Sequence, residues 1–150
     1  MGPHRYFLTF CTHHRRCYFV ATAIVELTRT QILRAAVEQT FAVIAYCFMP
    51  DHLHLLVQGD AEGADLKQFI RMSKQYSAFY VARSLESQRL WQRFSFERVL
   101  RSNEETWSVA KYIVNNPVRA GLVSHPAEYP FWGSAWYSRE ELLEYIQRAA

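Results

Sequence analysis

No uninterrupted apolar run in this chain approaches the roughly 20 residues a helix needs to cross a bilayer. The opening stretch MGPHRYFLTF also lacks the charged, apolar and cleavage regions of a signal peptide. Both absences lead us to expect a cytoplasmic protein. Cysteine is scarce: Cys11, Cys17 and Cys47 are odd in number, form no C-x-x-C pair and lack zinc-finger spacing. They read as reduced, mostly packed thiols to which no chemistry is assigned. No internal period marks a repeat array, and no RNP-like Gly-Phe motif marks an RNA-recognition sheet. Charge of one sign is not in large excess: 17 Lys and Arg against 14 Asp and Glu leave +3, too little by itself to name a partner.

What is present is a globular balance. With 150 residues, half of them hydrophobic and 21% charged, the chain is long enough for one full core, and a single domain over residues 1–150 is expected. Aromatics at 15% alongside 17 basic residues suit a surface that stacks bases and neutralises phosphates. Composition permits nucleic acid and says no more.

YFLTFCT (6–12) reads as a strand, followed by the basic loop HHRRC. Ile24, Leu27, Ile32, Leu33 and Val37 recur at helical spacing within 21–39. FAVIAYCFM (41–49) is a buried strand, Pro50-Asp51 a turn, and HLHLLVQG (52–59) the returning arm of a hairpin. Over 63–87 one helical face carries Leu66, Phe69, Ile70, Ser73, Ser77 and Tyr80, and another carries a basic stripe of Lys67, Arg71 and Lys74. RFSFERVL (93–100) alternates as a fourth strand. Ser102 or Asn103 can cap a helix over about 104–116, ended by Pro117 with Gly121 beyond. The order β-α-β-β-α-β, with a further helix, predicts an α+β, ferredoxin-like antiparallel sheet with helices on one face. The tail YPFWGSAWY should pack on the sheet ahead of a helix at about 138–148.

Two pairs of residues stand out chemically. In MPDHLHLL the alternation of a strand puts His52 and His54 side by side while Leu53 and Leu55 point the other way. Two imidazoles on one face either decorate a surface or hold something. In KYIVNNP, Tyr112 and Asn116 share one helix face at the edge of a buried arc of Val109, Ala110, Ile113 and Val114. That position suits a reactive phenol, and equally an ordinary tyrosine followed by an Asn cap. Asp51 reads as a turn residue directed away from the histidines.

MPDHLHLL, LWQRFSFERVL, YIVNNPVRAGLV and YPFWGS, in this order and at these separations, resemble the IS200-like single-tyrosine transposases, especially the REP-associated branch, over about residues 5–135. The resemblance implies an HUH nuclease on a ferredoxin-like frame, with His52 and His54 as metal ligands, Tyr112 as nucleophile and Asn116 as third ligand. Insertion-sequence relatives commonly carry Gln at that last place. Two imidazoles and an amide oxygen leave positions for phosphate and water, which fits Mg²⁺ or Mn²⁺. The implied reaction cleaves and rejoins hairpin-bearing single-stranded DNA, as in imperfect palindromes, through a covalent 5′-phosphotyrosine. A monomer acting in cis is implied as well. DNA engagement is then expected from Lys67, Arg71 and Lys74, from Arg15 and Arg16, and from Arg93, Arg98, Arg101 and Arg119, with Trp91 and Phe94 as candidate stacking groups. The rival expectation is a non-catalytic ferredoxin-like module that binds single strands and whose histidines hold nothing.

Overall fold

The computed structural model describes residues 4–149, so the expected domain limits at residues 1 and 150 lie outside the described residues. The aromatic- and Thr-containing run RYFLTFC forms β1 (Arg5–Cys11), and an apolar stripe forms α1 (Thr22–Glu38). The hairpin follows as β2 (Phe41–Met49) and β3 (His52–Gly59). Then come α2 (Leu66–Val81), β4 (Phe96–Leu100), α3 (Asn103–Arg119), the two-residue β5 (Trp132–Gly133) and α4 (Arg139–Ala149). All ladders are antiparallel and the strand order is β4-β1-β3-β2-β5. The first four strands with α1 and α2 are the expected ferredoxin-like frame.

Helices cover both faces of the sheet, where one face was expected. Leu8, Phe10, Leu53, Leu55 and Val57 pack with Ile32, Ala35 and Phe69 of α1 and α2. On the other side Cys47, Met49, Leu56 and Leu100 pack with Val109, Ala110, Ile113 and Val114 of α3 and with Leu142 and Ile146 of α4. The reason is written in β2, all nine residues of which are buried. A strand apolar on both faces needs a cover on each. A bulge between Val43 and Ala45 shifts the register of β2 against β3, so that Ile44 and Ala45 both serve the α3 side.

The α3 helix also departs from expectation at its end. Asp65 caps α2 and Ser102 caps α3 through side-chain oxygens, as turn chemistry requires. Pro117, however, sits inside α3 instead of ending it. Its fixed φ is helical, so it forfeits one backbone hydrogen bond while its buried ring packs in the core. The helix closes at Ala120, and Gly121 at φ 76° takes the left-handed position that a side chain would resist. The three extra residues, Pro117 to Arg119, carry Arg119 onto the face of Tyr112. The aromatic tail packs as expected and adds a fifth strand: Trp132 Nε1 donates to the Pro126 carbonyl at 2.8 Å, and a Cβ on Gly133 would meet the Tyr46 hydroxyl at 2.8 Å.

Candidate nucleophile and metal site

The site is built on the α3 face of the sheet. Register places Thr9 and Cys47 on either side of His54, and Cys11 and Met49 on either side of His52. Opposed residues share a face, and Cys47 and Met49 belong to the core under α3, so both imidazoles point toward α3. Their ring centroids lie 4.7 Å apart. The Tyr112 ring descends from α3 to 5.8 Å from the His54 ring. Phe7 sits among them, 5.3 Å from His54 and 5.9 Å from Tyr112.

Each imidazole is oriented through its Nδ1. His52 Nδ1 donates to Asp51 Oδ1 at 2.8 Å, and Nδ1 of His54 shares a hydrogen bond with Thr9 Oγ1 at 2.9 Å. Asp51 is therefore directed toward the histidines, contrary to expectation. The tight turn lets its short carboxylate fold back on the next residue, and Arg15 Nε anchors the other oxygen at 3.0 Å. Burial works against the Asp51 charge, but the hydrogen bonds from Arg15 and His52 outweigh it and hold the carboxyl below its ordinary range. Thr9 and Asp51 are the residues that sequence reasoning missed; for Thr9 the only signal is its register opposite His54.

His54 is 7% exposed. Burial, with the His52 ring and Arg119 adding repulsion, pushes its pKa down to about 3. The folded chain thus keeps this ring neutral while the unfolded chain protonates it below about 6.5, so unfolding takes up a proton between those values. The stabilisation is complete above pH 6.5 and declines as pH falls. We expect the unfolding free energy to drop by about 2 kcal/mol from this group between pH 6.5 and 5. Urea unfolding of wild type and His54→Gln across that range checks it: the variant should show the shallower decline.

Arg119 closes the outer side of the nucleophile. Its guanidinium lies 3.9 Å from the Tyr112 ring centroid, and Nη2 donates to the Tyr112 carbonyl at 2.7 Å. Arg98 on β4 lies 5.8 Å from the Phe7 centroid on the same face. Asn116 stands one turn after Tyr112, half-buried, and no hydrogen bond engages its side-chain amide among the described residues.

The remaining candidates fall into three places. Arg15 and Arg16 occupy the loop at the His52 end of the sheet, Arg15 on Asp51 and Arg16 on Gln88. Arg93 and Arg101 flank β4 and are exposed. Lys67 and Arg71 lie on α2, across the sheet from Tyr112. Lys74 does not continue their stripe: its amine donates to the Gln92 carbonyl at 3.0 Å, and burial, then Arg89, lowers its pKa to about 8. Of the stacking candidates, Trp91 is core, donating Nε1 to Ser77 Oγ, whereas Phe94 is exposed.

The sequence profile of the IS200-like transposases matches residues 3–116. A Haemophilus influenzae protein described as a REP-associated tyrosine transposase is 30% identical over 135 residues, 76% of this chain and 77% of that one. The REP-associated tyrosine transposase of Escherichia coli is 23% identical over 129 residues, covering 84% of this chain and 73% of its own. In fold, the chain is similar to a REP-associated tyrosine transposase solved bound to a REP hairpin, with a TM-score of 0.75 and 21% identity over 88% of this chain and 77% of the other.

Proposed function

The chain belongs to the IS200-like transposase family, and from that premise we propose that it cleaves and rejoins hairpin-bearing single-stranded DNA with Tyr112 as nucleophile. The observation that carries this reading is the meeting of the Tyr112 ring and the His52–His54 pair on one sheet face. The Tyr112 oxygen attacks phosphorus, the bond to the 3′ oxygen breaks, and the 5′-phosphate stays on tyrosine. The departing 3′ oxygen takes a proton, and its later attack on the phosphotyrosine reverses each step. One phosphoester is exchanged for another, so no external energy source is needed. An ordinary phenol is only about one part in a thousand phenolate near neutrality, a deficit of about 4 kcal/mol that such a site must offset. Arg119 stacked on the ring and Arg98 beside Phe7 place positive charge where the phosphate would lie.

The residues also fit a hard divalent cation. With Nδ1 of each histidine occupied by Asp51 or Thr9, both Nε2 atoms are the ones left for a ligand. Among the described residues no three His, Cys, Asp or Glu side chains gather as a closed cage. An open set of His52, His54 and the Asn116 amide, completed by phosphate and water oxygens, suits Mg²⁺ or Mn²⁺. Such an ion supplies Lewis-acid polarisation of the scissile phosphate. Because Tyr112 and His54 already face each other within one chain, action in cis by a monomer is the simplest arrangement.

The test is incubation with hairpin-bearing single-stranded DNA and Mg²⁺ or Mn²⁺. A protein–DNA band surviving denaturing electrophoresis supports the reading; metal-indifferent binding without cleavage of any hairpin would favour the binding module. Asp51→Ala should weaken Mn²⁺ binding by about tenfold or more, because no acceptor then fixes the His52 ring. Electron paramagnetic resonance titration of free Mn²⁺ reads that loss directly.

A further inference from the structure

The edge strand β4 carries apolar surface that an edge strand ordinarily avoids. Phe94 is 79% and Phe96 54% exposed. Natural edges are blunted with charge, and exposed rings that adjoin one another beside a functional face mark a surface for interaction. Here two rings at i and i+2, Phe94 just before β4 and Phe96 at its start, are flanked by Arg93 and Arg98 in RFSFERVLR. Register fixes where they point: Phe96 pairs with Thr9 and Arg98 with Phe7, so both lie on the face that bears His54 and Tyr112. Glu97 pairs with Leu8 and belongs to the opposite face.

The rings form a continuous run. Phe96 meets Phe7 edge-on at 6.1 Å, and Phe7 meets Tyr112 edge-on at 5.9 Å. One ring therefore separates an exposed aromatic face from the tyrosine. Cations bracket the run, with Arg93 5.6 Å from the Phe94 centroid and Arg98 5.8 Å from that of Phe7. An exposed ring with guanidinium groups before and after it matches an unpaired nucleotide, which offers one apolar face and one phosphate per step.

We infer that Phe96 is the stacking seat for the unpaired base adjoining the scissile phosphate, with Phe94 continuing the path outward and Arg98 holding the intervening phosphate. The seat fixes the single strand beside Tyr112 without reading its sequence, since every base has a π-face. It rests on the DNA-cleavage reading of the Tyr112 face. Phe96 is a binding and positioning residue; it takes no part in bond making.

The test is an abasic scan in chelator, so that binding is measured without cleavage. The probe is a hairpin oligonucleotide with a single-stranded flank in which one base at a time is removed, and affinity is read by fluorescence anisotropy. In wild type one flank position should lose about tenfold in affinity when abasic. Phe96→Leu should lose about tenfold on the intact probe and nothing more at that position, while binding to the blunt stem alone stays within about twofold. Phe96→Tyr should restore the wild-type profile. Identical abasic profiles for wild type and Phe96→Leu overturn the seat, as does a wild-type dimer that Phe96→Leu disperses, which would make the edge a self-pairing surface. A failed adduct assay with the Phe96 cycle intact removes the nuclease reading alone; adduct formation with identical profiles removes the seat alone.

Discussion

Tyr112→Phe is expected to abolish the covalent protein–DNA adduct while leaving the fold and DNA binding intact. The substitution removes one oxygen and nothing else. The packing of the ring against Phe7 at 5.9 Å, His54 at 5.8 Å and the Arg119 guanidinium at 3.9 Å belongs to its carbon skeleton, which phenylalanine keeps. No hydrogen bond holds the Tyr112 hydroxyl among the described residues, and the side chain is 46% exposed, so no buried partner is left unsatisfied. Stability should therefore change by less than about 0.5 kcal/mol. The chemical loss should be total, because phenylalanine offers no oxygen to attack phosphorus. Denaturing gels of wild type and variant with the same hairpin, beside urea unfolding curves, separate the two effects. An adduct of undiminished yield from Tyr112→Phe would remove this residue from the reaction.

The contrast between what periodicity reveals and what it hides explains which parts of this site were readable. The hairpin 41–59 and the helices α1 and α2 follow from local periodicity, because each residue's face is set by its own strand or helix. His52 and His54 share a face for the same reason. Asp51 and Thr9 do not follow. The direction of the first depends on how a two-residue turn folds its carboxylate back, and the role of the second on the pairing of β1 with β3, 45 positions away. The same limit explains the basic residues. A helical stripe is a local pattern, but which side of the sheet it faces is decided by the crossover, and α2 sits across the sheet from Tyr112. Arg119 shows the converse: Pro117 suggested a helix end, and only the buried environment of that ring lets α3 run on to bring Arg119 over Tyr112. The alternation of RFSFERVL was visible as a strand pattern, while the closeness of Phe96 and Arg98 to the nucleophile came only with the order β4-β1-β3.

His52→Ala and His54→Ala should each cut adduct formation by at least about a hundredfold, since each removes one of the two nitrogen donors proposed to hold the cation. Their effects on stability should differ. The His54 ring is buried between Phe7 and Tyr112, and it partners Thr9 Oγ1. Deleting it opens a cavity beneath α3 and strands a hydroxyl, together costing about 2–3 kcal/mol. His52 stands nearer the open end of the sheet, and its partner Asp51 keeps Arg15 when the ring is gone, so His52→Ala should cost about 1 kcal/mol or less. Mn²⁺ titration, adduct yield and urea unfolding on both variants test the assignment together. Equal loss of metal binding and adduct with unequal loss of stability is the expected pattern, because it requires two donors in one site held by different surroundings. Adduct yields near wild type from either variant would mean that the histidine pair shapes the sheet surface and takes no part in the chemistry.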